Sequence, residues 1–285
     1  MSAREIRELL ARHGLAAHRD RGQNFLHDAR LAAKLARSAG VEPGDTVIEI
    51  GTGLGILTRA LVDRGARVTT VEVDAGLVRA LRAEFALPEE VELVHADARE
   101  VDLAARVAAA PGPVRVVANL PYAVATPLLR RLLDLASGLA GWSVLVQREV
   151  ARRMGAGPGT RDYGSLAVLH ALVTRVRRGL DLHPRCFYPV PSVVSTFVHV
   201  TPRTGAPAPA ELARIERVVR AAFGQRRKTL ANALRGGLGL EAEPVARALE
   251  SEGLPPDVRA ETLAPAVWRG LAARLAPPDG VDPPR

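Results

Sequence analysis

The chain is predicted to fold as an α/β protein, with a doubly wound, mostly parallel sheet followed by a small all-α domain. Three observations predict it. Between residues 41 and 150, short β-branched runs alternate with Ala/Leu/Arg-rich stretches of helical spacing. A glycine-rich turn, EIGTGLG (49–55), closes the first run. Beyond residue 210 every periodic segment has helical spacing. Continuously apolar strands separated by helices require a sheet covered on both faces, and right-handed crossovers then wind it in the Rossmann-like manner.

Taken in order, Ile6, Leu9, Leu10 and Leu15 suit one face of a short N-terminal helix. The strand candidates are TVIEI (46–50), RVTTVEV (67–73), VELVHA (91–96), VRVVANL (114–120) and WSVLVQ (142–147). ILTRALVDRG and LVRALRAEF supply crossover helices, the first stopped by Gly65. VVSTFVHV (193–200) alternates with period two and is expected to join one edge of the sheet. TPRTGAPAPA (201–210) has the composition of a linker. ELARIERVVRAAF, KTLANALRG, EPVARALESEG and APAVWRGLAARL then make the helical domain. The expected boundaries are 1–203 for the sheet domain, 211–275 for the helical domain, and 276–285 for a disordered tail.

Composition narrows the function classes. A net charge of +8 and a pI near 10.7 point to a polyanionic partner. Only Lys34 and Lys228 are lysines, however, and so strong an arginine skew can also be codon-driven. No apolar run approaches the roughly 20 residues that span a bilayer, and the charged N-terminus lacks the apolar core of a secretory signal. Cys186 is the sole cysteine, so there is no intramolecular disulfide and no thiol-rich metal centre; a reducing cytoplasm is expected. No metal is expected, because Cys186 and the seven histidines form no ligand pattern.

Gly51, Gly53 and Gly55 permit a tight turn and a close backbone approach to a ligand at a helix N-terminus. Packing alone often puts glycine there, so the acidic residues carry the argument. Glu72 falls near the end of the second strand, where a carboxylate can accept both ribose hydroxyls of an adenosine, and Asp97 follows the third strand at the same edge. The alternative for each is a solvated loop charge or a helix cap. The turn is GxGxG rather than the GxGxxG that seats a pyrophosphate. With Glu49 placed to organise the loop and an ammonium group, S-adenosylmethionine is the expected cofactor, making this a class I methyltransferase fold.

NLPY (119–122) ends the fourth strand. An adenine amino nitrogen is a poor nucleophile because its lone pair is delocalised into the ring. The Asn119 side-chain oxygen and the Leu120 carbonyl could accept its two hydrogens and favour a tetrahedral nitrogen. Pro121 would stiffen the loop and Tyr122 would offer a stacking face. The bland alternative is an Asn-containing turn with an aromatic cap on the core.

Together GQNFL (22–26), EIGTGLG, VEVD (71–74), DA (97–98), NLPY and FYPVPSVVS (187–195) resemble the KsgA/RsmA class of rRNA adenine dimethyltransferases, in order and spacing over residues 20–270. The resemblance implies that Asn24, Leu26 and Gly51 bind the cofactor, Glu72 its ribose and Asp97 its adenine, with Asn119 between cofactor and target. It implies that Phe187 stacks on the target base opposite Tyr122; the alternative is a buried aromatic anchoring the Pro-rich loop. Ser192 and Val194 stand where the family pattern has a basic and an acidic residue. QREVARR (147–153), YGSLAV (163–168) and the Arg259, Glu261, Leu263 pattern also match, the last read as structural. In FGQRRKTLANAL (223–234), Arg226, Arg227 and Lys228 crowd a helix start against the macrodipole, which suggests phosphate contact rather than helix stability. The substrate so implied is a pair of adjacent adenines in the 3′-terminal hairpin loop of small-subunit (16S) rRNA, methylated by a monomer within an assembling 30S-type subunit. Two rivals remain: an Erm-type large-subunit rRNA adenine methylase, and an assembly factor of the same fold with little catalysis.

Overall fold

The computed structural model describes residues 1–17, 22–84 and 88–275. The expected tail, 276–285, lies outside them. The described residues divide into two compact units, one of residues 1–151 and 177–202, the other of 152–176 and the chain from Arg203 onward.

In the first unit, helix α1 (Ala3–Arg12) is capped by a reciprocal Ser2–Glu5 box and buries Ile6, Leu9 and Leu10. Strand β1 (Phe25–Leu26) and helix α2 (Ala29–Ser38, capped by Asp28) lead into β2 (Thr46–Ile50). Then follow α3 (Ile56–Val62), β3 (Arg67–Glu72), α4 (Ala75–Glu84), β4 (Val91–His95), α5 (Leu103–Ala109) and β5 (Val114–Asn119). Helix α6 (Ala125–Asp134) precedes β6 (Leu139–Gln147). The chain then runs through α7 (Arg148–Met154) and, within the second unit, α8 (Ser165–Val173), before β7 (Thr174–Leu182), β8 (Phe187–Tyr188) and β9 (Ser195–Pro202).

The seven-stranded sheet has the order β4-β3-β2-β5-β6-β9-β7. From β4 to β6 all pairings are parallel, and β9 runs antiparallel to β6. One expectation is corrected and one unforeseen element is added. The period-two segment that becomes β9 is not an edge strand, because β7 lies outside it. A separate two-stranded sheet pairs Phe25 with Tyr188 and Leu26 with Phe187.

Parallel register decides where the chemistry goes. Ile50 is level with Val71 and Ala118, and Glu72 with His95, so the residues that follow β2, β3, β4 and β5 all emerge at one carboxyl edge. Beneath them Val47, Leu57, Leu61, Val68, Val117, Leu145 and Phe197 form the core with Leu26, Leu35 and Phe187.

The second unit contains α9 (Pro209–Phe223), α10 (Leu230–Leu238), α11 (Ala242–Ser251) and α12 (Val267–Leu275). It also takes in residues 152–176, which the expected boundary at 203 had placed with the sheet. The reason is aromatic packing. Tyr163 is fully buried edge-on to Phe223 at 5.8 Å, Phe223 lies 5.6 Å from Trp268, and the Tyr163 hydroxyl donates to the Leu263 carbonyl. The Glu261 carbonyl accepts from Gly159 N, which agrees with a structural role for the Arg259–Leu263 pattern.

Candidate active site

A cavity of about 320 Å³ opens at the carboxyl edge of the sheet, within the usual size range of small-molecule sites. Its walls come from Gly22–Phe25, Ile50, Gly51, Gly53, Val71–Val73, Leu77, residues 96–99, Asn119–Val124 and Leu128. Asn24, Gly51, Glu72, Asp97, Asn119, Leu120 and Tyr122 are therefore brought together as expected.

The glycine turn works through backbone shape. Gly51, Gly53 and Gly55 have φ of +84°, +57° and +69°, values that side chains resist. A Cβ on Gly53 would stand 3.2 Å from the Phe25 ring. Gly51 N donates to the Val71 carbonyl, pinning the turn to β3.

Glu72 ends β3 only 6% exposed. Its Oε2 accepts from Gly53 N at 2.9 Å and its Oε1 from Asp74 N at 3.0 Å. Burial pushes its pKa up against these two bonds. Each carboxylate oxygen keeps acceptor capacity, as a ribose diol requires. Asp97 is the opposite case. Arg99 donates to it from backbone N, Nε and Nη2, at 2.6–3.1 Å, and holds its carboxyl below the usual range. Arg99 is the single cation among the described lining residues and is already committed to Asp97, so the lining offers no free cation to a phosphate. A buried acceptor, mostly apolar walls and the absence of a free cation among the described lining residues together fit S-adenosylmethionine: Glu72 would hold the ribose, Asp97 the adenine, and the Gly51–Gly53 turn the amino-acid end.

Glu49 does not line the cavity. It is fully buried behind the turn, with Oε2 accepting from Thr58 and Thr70 at 2.6 Å each. Thr70 in turn meets Thr52 of the turn at 2.7 Å. Glu49 thus organises the loop, as expected, but from behind and not through a ligand's ammonium group. Burial raises its pKa to about 7, and its Oε1 has no partner among the described residues.

The 119–122 loop is fixed from two sides. Leu120 N donates to the Leu145 carbonyl of β6, and Asn119 Nδ2 donates to the Asn24 carbonyl at 2.8 Å. With the amide nitrogen committed, Oδ1 is the Asn119 atom left to accept from a ligand. Gly22 allows this approach: a Cβ there would be 3.0 Å from Tyr122 N. The half-buried Tyr122 bonds Ser195 Oγ through its hydroxyl at 2.6 Å, and burial pushes its pKa up.

Three expectations change. Leu26 and Phe187 do not line the cavity; they face each other across the β1–β8 pair with side chains 5% and 1% exposed in the core. Phe187 therefore takes its alternative role, the buried anchor of the Pro-rich loop. Arg226, Arg227 and Lys228 precede helix α10 instead of opening it; they occupy the exposed turn before the Thr229 cap. Arg226 donates to the Arg161 carbonyl within the same unit and lies 6.0 Å from the Phe223 ring. Gln23, Phe25 and Arg99 also line the cavity, although no sequence argument singled them out. The first two lie inside GQNFL, a motif that could have pointed to them; Arg99 carried no signal beyond standing two residues after Asp97.

Residues 14–271 match the family model for ribosomal RNA adenine dimethylase. The chain belongs to this family. Among dimethylase relatives, the ribosomal RNA small subunit methyltransferase A of Rhodospirillum rubrum is 47% identical over 261 residues, 90% of this chain and 88% of that one. The protein of the same name from Paracoccus denitrificans is 45% identical over 278 residues, 94% of this chain and 96% of that one. Among solved structures, a dimethyladenosine transferase from Plasmodium falciparum superposes with a TM-score of 0.72 at 22% identity, covering 87% of this chain and 95% of that one. The 23S rRNA methyltransferase ErmE gives 0.61 at 28% identity, covering 88% and 99%. The dimethylase chain is thus an S-adenosylmethionine-dependent rRNA methyltransferase on a class I fold.

Proposed function

We propose that the chain dimethylates N6 of two adjacent adenines in the 3′-terminal hairpin loop of small-subunit (16S) rRNA, acting as a cytoplasmic monomer on an assembling 30S-type subunit. The observation that carries the chemistry is the commitment of Asn119 Nδ2 to the Asn24 carbonyl, which leaves Oδ1 as the acceptor on the cavity wall. S-adenosylmethionine supplies a methyl group already activated on a sulfonium. Asn119 Oδ1 and the Leu120 carbonyl would accept the two amino hydrogens and turn the nitrogen lone pair toward the cofactor. Pro121 keeps that loop stiff, and Tyr122 offers its ring to an extruded, unpaired base. No strong general base is needed, because the proton leaves from an acidic product ammonium. Orientation supplies most of the rate.

The relatives named for the small subunit stand at 47% and 45% identity against 28% for ErmE, which favours small-subunit over large-subunit rRNA. The exposed Arg226, Arg227 and Lys228 would dock RNA phosphates. Among the described residues no helix is long and apolar enough to cross a membrane.

The test is methyl transfer to unmethylated small subunits and, separately, to large-subunit rRNA, using wild type and Asn119→Ala. Dimethyladenine should form in the small-subunit rRNA alone. The variant should lose at least ~100-fold in turnover, as when one acceptor or donor aimed at a reacting group is removed, while keeping cofactor affinity. Transfer to large-subunit rRNA, or near-normal turnover by the variant, would overturn the reading.

A further inference from the structure

We infer that Ser195 is a positioning residue for the methyl-accepting base, acting through the ring of Tyr122. This rests on the reading that Tyr122 carries the base stack, and adds a residue that does not itself line the cavity. The backbone around Tyr122 is fixed by the bonds Leu120 N to Leu145 O and Val124 N to Pro121 O. Those bonds leave the two side-chain torsions of the tyrosine free, and the torsions set the plane of the ring. Among the described residues the phenol end carries the directional restraint on them. Tyr122 Oη lies 2.6 Å from Ser195 Oγ.

Ser195 is suited to act as a fixed point. It is fully buried, opens strand β9, and is held in register opposite Gln147 of β6. Next to it, the Val194 carbonyl accepts from Arg148 N, so the strand start is tied to the end of β6 at two consecutive residues. A hydroxyl buried this deeply needs a hydrogen-bond partner, and Tyr122 Oη supplies it. The sheet's antiparallel flank thereby fixes the angle of the ring of Tyr122, one of the residues that line the cavity. A base stacked on that face inherits the angle, and small angular errors at a reacting nitrogen lower the rate without weakening binding as much.

The full-length protein, assayed on unmethylated small subunits, provides the test. Tyr122→Phe removes the bond from one end and Ser195→Ala from the other. Each should lower kcat about tenfold while leaving KM for the subunit and Kd for the cofactor within about twofold. The double variant should be no slower than either single variant, because both delete one bond. Ser195→Thr, which keeps the hydroxyl, should recover most of kcat. Substrate carrying 2-aminopurine at the target position should show less stacking quench with both single variants.

Wild-type kcat in Tyr122→Phe overturns the inference, even if Ser195→Ala fails to fold. Multiplicative losses in the double variant, or no recovery with threonine, also overturn it by making Ser195 a structural residue. The stacking reading is tested separately by Tyr122→Ala. A large loss there with full activity in Tyr122→Phe sinks the Ser195 inference alone; full activity in Tyr122→Ala sinks the stacking reading itself.

Discussion

Replacing Glu49 with glutamine should make the protein more stable at alkaline pH and change little in acid. The carboxyl is fully buried, and burial lifts its pKa from 4.5 to about 7 against the bonds from Thr58 and Thr70. The folded state therefore prefers the protonated acid more than the unfolded chain does. Below pH 4.5 both states carry the proton and the preference is fully felt. Stability is lost as pH rises from 4.5 through 7, because the unfolded chain ionises first. At ~1.4 kcal/mol per pH unit the loss reaches about 2 kcal/mol by pH 6 and about 3 kcal/mol by pH 8. Glutamine imitates the protonated acid: its oxygen can still accept from both threonine hydroxyls, and it has no charge to bury. Thermal unfolding of wild type and Glu49→Gln from pH 4.5 to 8.5 measures the difference directly, since other titrating groups cancel. With ~2–4 °C per kcal/mol for a chain portion of this size, the melting curves should separate by roughly 6–12 °C at pH 8 and converge near pH 4.5. Parallel curves across the range would refute the argument and show that Glu49 is ionised without penalty.

Glu72→Ala should weaken S-adenosylmethionine by about 1–3 kcal/mol through missing hydrogen bonds, and it also strips the acceptor from Gly53 N and Asp74 N. Calorimetry decides, and an unchanged dissociation constant would leave Glu72 as a loop clamp only. Replacing Arg226, Arg227 and Lys228 together with glutamine should lower the log–log salt slope of RNA binding by roughly 0.7–0.9 for each phosphate that is no longer neutralised. Arg226 is partly engaged by the Arg161 carbonyl, so the total should fall short of three full phosphates. Cofactor affinity should not move, and an unchanged slope would show a solvated basic turn.

Much of the first unit was legible in the sequence for simple reasons. Strands β2 to β5 are dense β-branched runs; Glu72 and Asn119 end their strands and Gly51 and Asp97 follow theirs, so parallel pairing alone collects the four. Strand β7 was not legible. TRVRRGLDL carries Arg175, Arg177 and Arg178 on an exposed edge, where charge suits a strand that pairs on one side only. Strands β1 and β8 have two residues each, too few for any period, and only the fold pairs them. Motif position likewise fixed where Leu26 and Phe187 sit in the chain but not which way they point. Their neighbours Asn24 and Tyr188 are the more exposed residues there. The boundary at residue 203 followed chain continuity, whereas Tyr163 follows its aromatic partners in the second unit.

The pairing of Leu26 with Phe187 also has a temporal consequence. Gly22–Phe25 form one wall of the cavity, and the strand that continues them can pair only when residues 187–188 exist. Chains are synthesised from the N-terminus, so the strands β2 to β5 can be complete while this wall is held by Asn119 and by the packing of Phe25 but still lacks its β8 partner. Closing so long a loop is opposed by chain entropy until the distal partner arrives. The last restraint on the cofactor pocket thus arrives late in translation: a nascent chain stopped short of residue 188 has the glycine turn, Glu72 and Asn119, and should bind S-adenosylmethionine more weakly than the finished protein because residues 25–26 lack their β8 partner.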